Sequence, residues 1–589
     1  METISSILES RLRAALTEFG DADAHVQTVA DARFGDYQTN AAMTLAKKQK
    51  ANPRELAQRI ASKIEVSDLC LPPEIAGPGF INFRLKPEWL AQRFVEFARD
   101  EKLGTPMPAK PRKIVVDFSS PNVAKPMHVG HIRSTILGDA LARIAEFVGH
   151  DVVRDNHIGD WGTQFGMLLL GWKTELNREA LAVDALGEME RMYKLVSARY
   201  KEDAETQKAA QRELVLLQSG DPENLGLWQE MIRLSQHQFD AIYQRLDIRF
   251  DVVYGESFYN SRLKGVVDEL KAAGIASESE GALCVFSDGS VPAEQDPFQI
   301  KDKDGWRPNP AMILKSDGAS NYTTTDLATL QFRVETWNPD EILYVTDGRQ
   351  QLHFRQFFSI FGRWHPECRV KLAHVWFGSI LGDDGKPFKT RSGETVKLAE
   401  LLDEAEERAL VIVKTKNAEM PEGEQREIAR VIGVGSVKYA DLLPNRQSDY
   451  TFSWDKMLAL QGNTAPYLMN AAVRIAAIFR KAEGETGVAE NGVPSADFAL
   501  VEAAELALLK KLYLFAEALL QVLEDDRPNL LCNYLFELAS TFHSFFEACP
   551  VLRAKTPALR ASRLALCHAT GRVLKTGLGL LGIAVPERM

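Results

Sequence analysis

The chain has 589 residues and a formal net charge of -11, from 70 lysines and arginines against 81 aspartates and glutamates. With 45% hydrophobic and 26% charged residues, it has the make-up of a globular protein with sizeable cores and not of a disordered chain; at roughly 150 residues per domain, the length suggests about four units. The acidic balance argues against a protein that coats nucleic acid through bulk charge but leaves room for a local basic surface, and no run of about 18 apolar residues predicts a membrane-spanning helix.

In chain order, Met1–Gly20 mixes Glu2, Glu9, Arg11 and Arg13 with Ile4, Ile7, Leu8 and Leu12, which predicts an amphipathic helix and no secretion signal. An Ala-rich helical run ending in Lys47, Lys48 and Lys50 follows, and then strand candidates around Ile75 and over Phe80–Leu85 after Gly77-Pro78-Gly79. These make residues 1–105 an α/β unit, closed by a linker over Gly104–Arg112 that carries Pro106, Pro108 and Pro111. The apolar run Lys113–Phe118 predicts a buried parallel strand. A helix from about Val129 to Val148 and a second strand at Asp151–Arg154 complete the opening of a doubly wound α/β sheet. Residues of about 172–250 are charged and helical and look like an insertion. Further strand candidates lie at 311–315, 341–346 and 373–378, and from about 398 the chain is helical almost to its end, interrupted by a Gly- and Glu-rich loop at 482–497. The six cysteines, Cys70, Cys284, Cys368, Cys532, Cys549 and Cys567, include no Cys-x-x-Cys pair. That spacing indicates neither structural zinc nor a disulfide framework, and it fits a reducing cytoplasm.

Lys125-Pro126-Met127-His128-Val129-Gly130-His131 lies between a strand and a helix. Two imidazoles three residues apart on the first helical turn can both face a ligand at the helix N-terminus, where free N–H groups and the dipole favour a phosphate chain. Histidines can donate to phosphate oxygens as charge develops, and Gly130 lets a flat base approach the backbone. A pair that only caps or packs a helix accounts for the pattern equally well. A metal site is a third option, although no carboxylate or Cys sits at a matching position in that turn.

His128-Val129-Gly130-His131 resembles the His-Ile-Gly-His motif of class I aminoacyl-tRNA synthetases. Ser119–Met127, Asp155–Gly166, Asp347-Gly348-Arg349-Gln350, Lys386-Pro387-Phe388-Lys389-Thr390-Arg391 and the terminal Pro586-Glu587-Arg588-Met589 resemble the arginyl-tRNA synthetases in particular, in the right order over essentially the whole chain. The resemblance implies a class I Rossmann-type parallel-sheet catalytic domain, with an α/β domain before it and an all-α anticodon-binding domain after it. The expected boundaries are 1–105 for the N-terminal domain, 106–397 for the catalytic domain, 398–455 for a helical connector and 456–589 for the anticodon-binding domain. It implies ATP contacts from His128, Gly130, His131, Asp347, Gly348, Lys386 and Lys389, and charge stabilisation from Lys125, His128, His131, Lys389 and Arg391. The second class I motif, Lys-Met-Ser-Lys-Ser, has Thr390 in place of its second lysine. In the family a lysine just before the first motif is thought to substitute, which is the place of Lys125. Read without the family, Gly382–Lys386 is a solvated hairpin turn.

A guanidinium is planar, permanently charged and forked, so a selective pocket needs carboxylates and oriented acceptors. Tyr322 and Asp326, four residues apart, share one helical face. The resemblance places both on the substrate side chain with Glu256, and Asn122 and Gln350 at its α-amino and carboxylate ends; each also has a reading as an ordinary surface or capping residue. For tRNA, the resemblance points to Phe34, Tyr37, Gln38 and Asn40 in the first domain, with core packing an equal account of Phe34 and Tyr37. It also points to Asn463, Tyr467, Arg474, Arg572 and Met589 in the last domain, where Cys549–Met589 carries seven basic residues against Glu587 alone. The implied activity is arginine–tRNA ligation through arginyl-adenylate, with ATP and Mg2+ entering as a substrate complex, tRNA-Arg as partner and required for adenylate formation, no structural metal, and a cytoplasmic monomer. A class I synthetase for another amino acid, a His-x-Gly-His nucleotidyltransferase and a silent tRNA-binding paralogue stay open as alternatives.

Overall fold

The computed structural model describes residues 1–20, 23–29, 31–382, 384–388, 396–486 and 498–589. They form two units, one of Lys110–Glu146 with His150–Met457, the other of Met1–Ala109, Phe147–Gly149 and Leu458–Met589. The first is organised by five parallel strands, β1 (Lys113–Asp117), β2 (Asp151–Asn156), β3 (Val252–Val253), β4 (Glu341–Tyr344) and β5 (Lys371–His374), in the order β5-β4-β1-β2-β3. β1 lies in the middle, with Ile114 beside Val152 and Val115 beside Ile342. Ile114, Val115 and Val116 are fully buried, which is why the strand reads as an unbroken apolar run and not as an alternation. Parallel neighbours need a crossover, and helix α1 (Val129–Val148) makes the one from β1 to β2. The chain winds outward from β1 in both directions, so β1 and β4 flank a switch point. Ligands of such sheets bind in the crevice beyond the carboxyl ends of the strands there.

Helix α2 (Tyr322–Trp337) precedes β4 and α3 (Gln351–Trp364) follows it. At the end of β1, Asp117 sits in register with Asp155 of β2. Arg333 of α2, completely buried, donates to both, Nη2 to Asp117 at 2.8 Å and Nε to Asp155 at 2.9 Å. One guanidinium fork thus offsets two buried carboxylates and fastens α2 to the middle of the sheet.

Five helices, Gln164–Thr174, Arg178–Val183, Ala185–Glu202, Ala204–Gln218 and Pro222–Arg245, occupy most of the chain between β2 and β3. The last four start behind Asn177, Asp184, Asp203 and Asp221, whose side chains accept from the first-turn amides. The strand expected at 311–315 forms at Ala311–Leu314 but pairs antiparallel with Ala282–Val285 in a separate three-stranded sheet. β5 lies earlier than the expected 373–378: the apolar Val375-Trp376-Phe377 follows the strand, and Val375 and Phe377 are buried there. Burial in a loop leaves the same sequence trace as burial in a strand.

In the second unit, the strands Gln27–Thr28, Tyr37–Thr39, Phe80–Phe83 and Glu74–Ala76 form an antiparallel sheet in that order, with Ile4–Leu16 as the predicted amphipathic helix. Helices Ala41–Gln49, Pro53–Ala61 and Pro87–Arg99 complete its N-terminal part, and helices Ala465–Thr486, Ala503–Tyr513, Phe515–Asp525, Asn529–Ala548 and Pro557–Leu580 make its C-terminal part. The helix Ala465–Thr486 continues past residue 482, where a loop is expected; residues 487–497 of that loop lie outside the described residues. The two parts of this unit are joined by Lys510 on Asp36 (2.6 Å) and by the Tyr513 hydroxyl donating to the Leu90 carbonyl (2.8 Å). Among the described residues no helix is long and apolar enough to cross a membrane.

Candidate active site

The turn after β1 is unusual in its backbone. Ser119, Ser120 and Ala124 all take positive φ, at 75°, 48° and 61°, a region that side chains other than glycine rarely occupy and that recurs where function dictates the path. It delivers His128 and His131 to the start of α1. The His128 N–H donates to Nδ1 of His131 (3.1 Å), the Gly130 N–H donates to Nδ1 of His128 (3.0 Å), and the two rings lie 4.0 Å apart. With both Nδ1 atoms accepting, each neutral ring carries its proton on Nε2, the atom left to donate elsewhere. Burial first, and then Lys125 and Arg349, holds His128 below the usual histidine range, and burial with His128 pushes His131 down to about 3. Both are therefore neutral donors at physiological pH. Gly130 has a local reason beyond an open face: a Cβ there would lie 2.8–2.9 Å from the His128 ring. Lys125 is half-buried, its ammonium 5.1 Å from the ring centre of Tyr193 on the inserted helix Ala185–Glu202.

The stretch expected to act as the second phosphate-gripping motif is anchored at both ends. Pro387 pairs with Leu381, Phe388 N–H donates to Ile380 O (3.0 Å), and the Phe388 ring stacks on Phe452 at 4.5 Å. Gly382 N–H donates to Lys386 O (2.8 Å), Gly385 N–H donates to Gly382 O (3.0 Å), and Lys386 is exposed; Asp383, in the turn expected there, lies outside the described residues. Further on, Val129 N–H donates to Val396 O (3.0 Å) and Leu398 N–H to Met127 O (2.9 Å), which sets the returning chain against the first motif. Lys389, Thr390 and Arg391 lie outside the described residues. The near anchor is also tied to α1, because Arg133, two residues past His131, donates to the carbonyls of Gly378 (2.7 Å) and Ser448 (3.2 Å) and pairs with Asp441 at 3.2 Å.

The remaining candidates follow the other strands. After β2, Gly159 pairs with Asn122, and a Cβ on Gly159 would overlap the Asn122 side-chain oxygen. After β3, Asp160 accepts from Ser257 N–H (2.8 Å) and hydroxyl (2.6 Å), which holds the short turn that begins at Glu256. Burial, with Asp326 and Asp160 adding to it against His157, pushes Glu256 up to about 7. After β4, Asp347 accepts from the Arg349 N–H (2.8 Å) and guanidinium, Gly348 N–H donates to Phe377 O (3.0 Å) in β5's trailing loop, and Gln350 is exposed at the end of that turn. Asp326, one turn along α2 from the exposed Tyr322, lies 2.5 Å through Oδ2 from Nε2 of His353 on α3, and the Tyr322 and His353 rings meet edge-on at 4.7 Å. The carboxyl ends of β1 to β4 thus carry, on one edge of one sheet, a neutral imidazole pair, a lysine and a patch of acidic and aromatic side chains.

Among the nucleic-acid candidates, Phe34 and Asn40 are exposed and Gln38 half-exposed. Tyr37 is not available: it is buried, and its hydroxyl donates to Glu517 (3.0 Å). Core packing is therefore its role. Asn463 donates to Asn533 (3.2 Å), Tyr467 lies 5.2 Å from the His543 ring, Arg474 sits over Phe546 at 5.9 Å, and Met589 is half-buried. Arg572 is turned inward onto the carbonyls of Ala98 (2.6 Å) and Asp100 (2.8 Å), and Arg563 is buried on Glu505 (2.7 Å). The charge count of the C-terminal stretch thus overstates its free cations. His353, Arg333, Arg133 and Tyr193 escape the sequence reading because their partners come from distant segments.

Three family models match the chain: "tRNA synthetases class I (R), catalytic domain" over residues 96–454, "DALR anticodon binding domain" over 468–589 and "Arginyl tRNA synthetase N terminal domain" over 2–85. The arginine–tRNA ligases of Laribacter hongkongensis and Escherichia fergusonii are 45% and 44% identical to it, each with all of both chains covered. Among solved structures, the arginyl-tRNA synthetases of Plasmodium falciparum (28% identical, TM-score 0.83) and Thermus thermophilus (26%, TM-score 0.81) match over the full length of both chains. The chain belongs to the arginyl-tRNA synthetases, within the class I aminoacyl-tRNA synthetases.

Proposed function

We infer that the chain ligates L-arginine to tRNA-Arg through arginyl-adenylate, consuming ATP and releasing AMP and pyrophosphate. A carboxylate oxygen of arginine attacks the α-phosphorus in line and pyrophosphate leaves; a hydroxyl of the terminal ribose of the tRNA then attacks the acyl carbon and AMP leaves. No covalent intermediate with the enzyme is needed, so the protein's part is positioning and charge stabilisation. His128 and His131 donate from Nε2 to the phosphates at the N-terminus of α1, Lys125 adds a positive charge beside them, and Gly130, Asp347, Gly348 and Lys386 line the nucleotide's path. Lys389 and Arg391 complete the charge from the second motif. ATP enters with Mg2+ as its substrate complex. Asp326, Glu256 and Tyr322 receive the guanidinium, with Asn122 and Gln350 at the α-amino and carboxylate groups. Phe34, Gln38, Asn40, Asn463, Tyr467, Arg474 and Met589 serve the tRNA. We assign residues 1–105 to tRNA contact, 106–397 to catalysis with the insertion at about 172–250, 398–455 to a connector that meets the tRNA stem, and 456–589 to the anticodon, in a cytoplasmic monomer.

The observation that carries this reading is the neutral His128–His131 pair on the helix N-terminus at the same sheet edge as Asp326 and Glu256. The test is arginine-dependent exchange between ATP and pyrophosphate with and without tRNA-Arg. Exchange with arginine, and more of it when tRNA is present, is the expected result. Exchange driven by a different amino acid would overturn the specificity, and none in either condition would overturn the activity.

A further inference from the structure

His353 occupies the first turn of α3, and none of the steps above uses it. Its Nε2 lies 2.5 Å from Oδ2 of Asp326, with the histidine side chain 16% and the aspartate side chain 28% exposed. The ring is clamped by its neighbours: edge-on to Tyr322 at 4.7 Å, and against Phe357 at 5.3 Å and Phe354 at 5.6 Å. An ionised carboxylate only accepts, so the proton in this hydrogen bond belongs to His353. A carboxylate alone on a helix turn is free to rotate about two bonds. One hydrogen bond from a ring that cannot move fixes its plane, occupies Oδ2 and leaves Oδ1 for a ligand; a site holds its geometry only when such supporting contacts hold its first contacts. The same ring supports Tyr322 from the side.

We propose that His353 is a positioning residue of the guanidinium pocket: by holding Asp326 in one orientation, it sets the discrimination between arginine and a neutral isostere such as citrulline. The proposal rests on the reading that Asp326 faces the guanidinium. Citrulline has nearly arginine's shape but a urea in place of the cation, so only a fixed charge with a free, correctly aimed oxygen separates the two strongly.

Steady-state aminoacylation kinetics for arginine, citrulline and ATP test it in four variants. A glutamine amide nitrogen can reach the place of Nε2, so His353→Gln should keep the arginine KM within about threefold of the parent. His353→Phe keeps the aromatic packing without the donor, and His353→Asn carries the same amide one methylene too short. Both should raise the arginine KM about tenfold or more, the usual consequence of losing a hydrogen bond to a charged group, with the ATP KM unchanged and a smaller preference over citrulline. Asp326→Asn separates the two layers: an unchanged arginine KM there would overturn the guanidinium reading itself. A raised KM in Asp326→Asn beside an unchanged one in both His353→Phe and His353→Asn would overturn the role of His353 alone. So would equal losses in the Gln, Asn and Phe variants, or losses shared equally by arginine and ATP, which are the marks of a merely structural histidine.

Discussion

In the proposed guanidinium pocket, the buried carboxyl of Glu256 ties arginine binding to pH. Burial, Asp326 and Asp160 raise its proton affinity from an ordinary 4.5 to about 7, with His157 pulling the other way. Without ligand, the group is largely protonated below pH 7. A guanidinium favours its ionised form, so binding arginine at lower pH must release that proton. The sign follows: arginine affinity should rise as pH increases towards about 7 and level off above it, weakening by about tenfold for each unit below. Titration calorimetry in buffers of different ionisation heat would count the released proton, and Glu256→Gln should bind weakly with a flatter pH profile. A profile as steep in that variant as in the parent would assign the titration to another group. At this scale, legibility depends on sequence distance. Spacing puts Tyr322 and Asp326 on one helical face, and only the family resemblance assigns them to the substrate, whereas the hydrogen bond from His353 to Asp326 spans 27 positions and joins two helices. Tyr37 shows the converse: its sequence allows tRNA contact and core packing equally, and only the hydrogen bond of its hydroxyl to the distant Glu517 decides for packing.

At the scale of elements, the crevice exists because α2 is fastened to the sheet, and Arg333 fastens it. The guanidinium is wholly buried between Asp117 and Asp155, and desolvation pushes the Asp155 carboxyl upward even with the cation beside it. Arg333→Leu would leave two buried carboxyls without a counter-charge. Removing one partner of a buried ion pair costs about 3–5 kcal/mol, and a loss of that order should be read in urea unfolding of the variant. Replacing the charge-bearing groups together should recover part of it: Arg333→Leu combined with Asp117→Asn and Asp155→Asn is expected to be more stable than Arg333→Leu alone, and an equal or larger loss in the triple variant would show that the cation does not offset those carboxyls. Why this element order is readable from the chain is also plain. α1 is a single helix of 20 residues with one long periodic pattern and a β-branched strand on either side, so pattern and structure agree to the residue. β5 is four residues long and is followed by buried apolar loop residues, so composition places it two residues too late. Arg333 reads from sequence as one more charge on a helix, because nothing local says that two aspartates at the ends of neighbouring strands converge on it.

The net charge of -11 belongs to the whole molecule, yet tRNA binding must rest on a few cations that are free to meet phosphates. The C-terminal stretch contributes fewer than its composition promises, since Arg563 serves Glu505 and Arg572 serves two main-chain carbonyls. A better-defined group surrounds a cavity where Arg474, Lys481 and Arg553 rim an apolar floor that includes Ile478, Phe546 and Val551. Arg474 and Arg553 are exposed there, and Arg474 lies over the Phe546 ring, an arrangement that can hold a phosphate and stack an unpaired base at once. Each phosphate contact made by such a cation releases about one counter-ion, which is read as the slope of log K against log salt. Arg553→Ala and Lys481→Ala should therefore weaken tRNA-Arg binding and lower that slope by about one apiece. Arg572→Ala should leave the slope unchanged and lower the unfolding midpoint instead, because it strips the carbonyls of Ala98 and Asp100 of their donor. Equilibrium binding of tRNA-Arg over a graded series of potassium chloride concentrations, beside a thermal melt of each variant, separates these outcomes. A drop in slope for Arg572→Ala as large as that for Arg553→Ala would mean that the count of basic residues, and not their exposure, governs the contact.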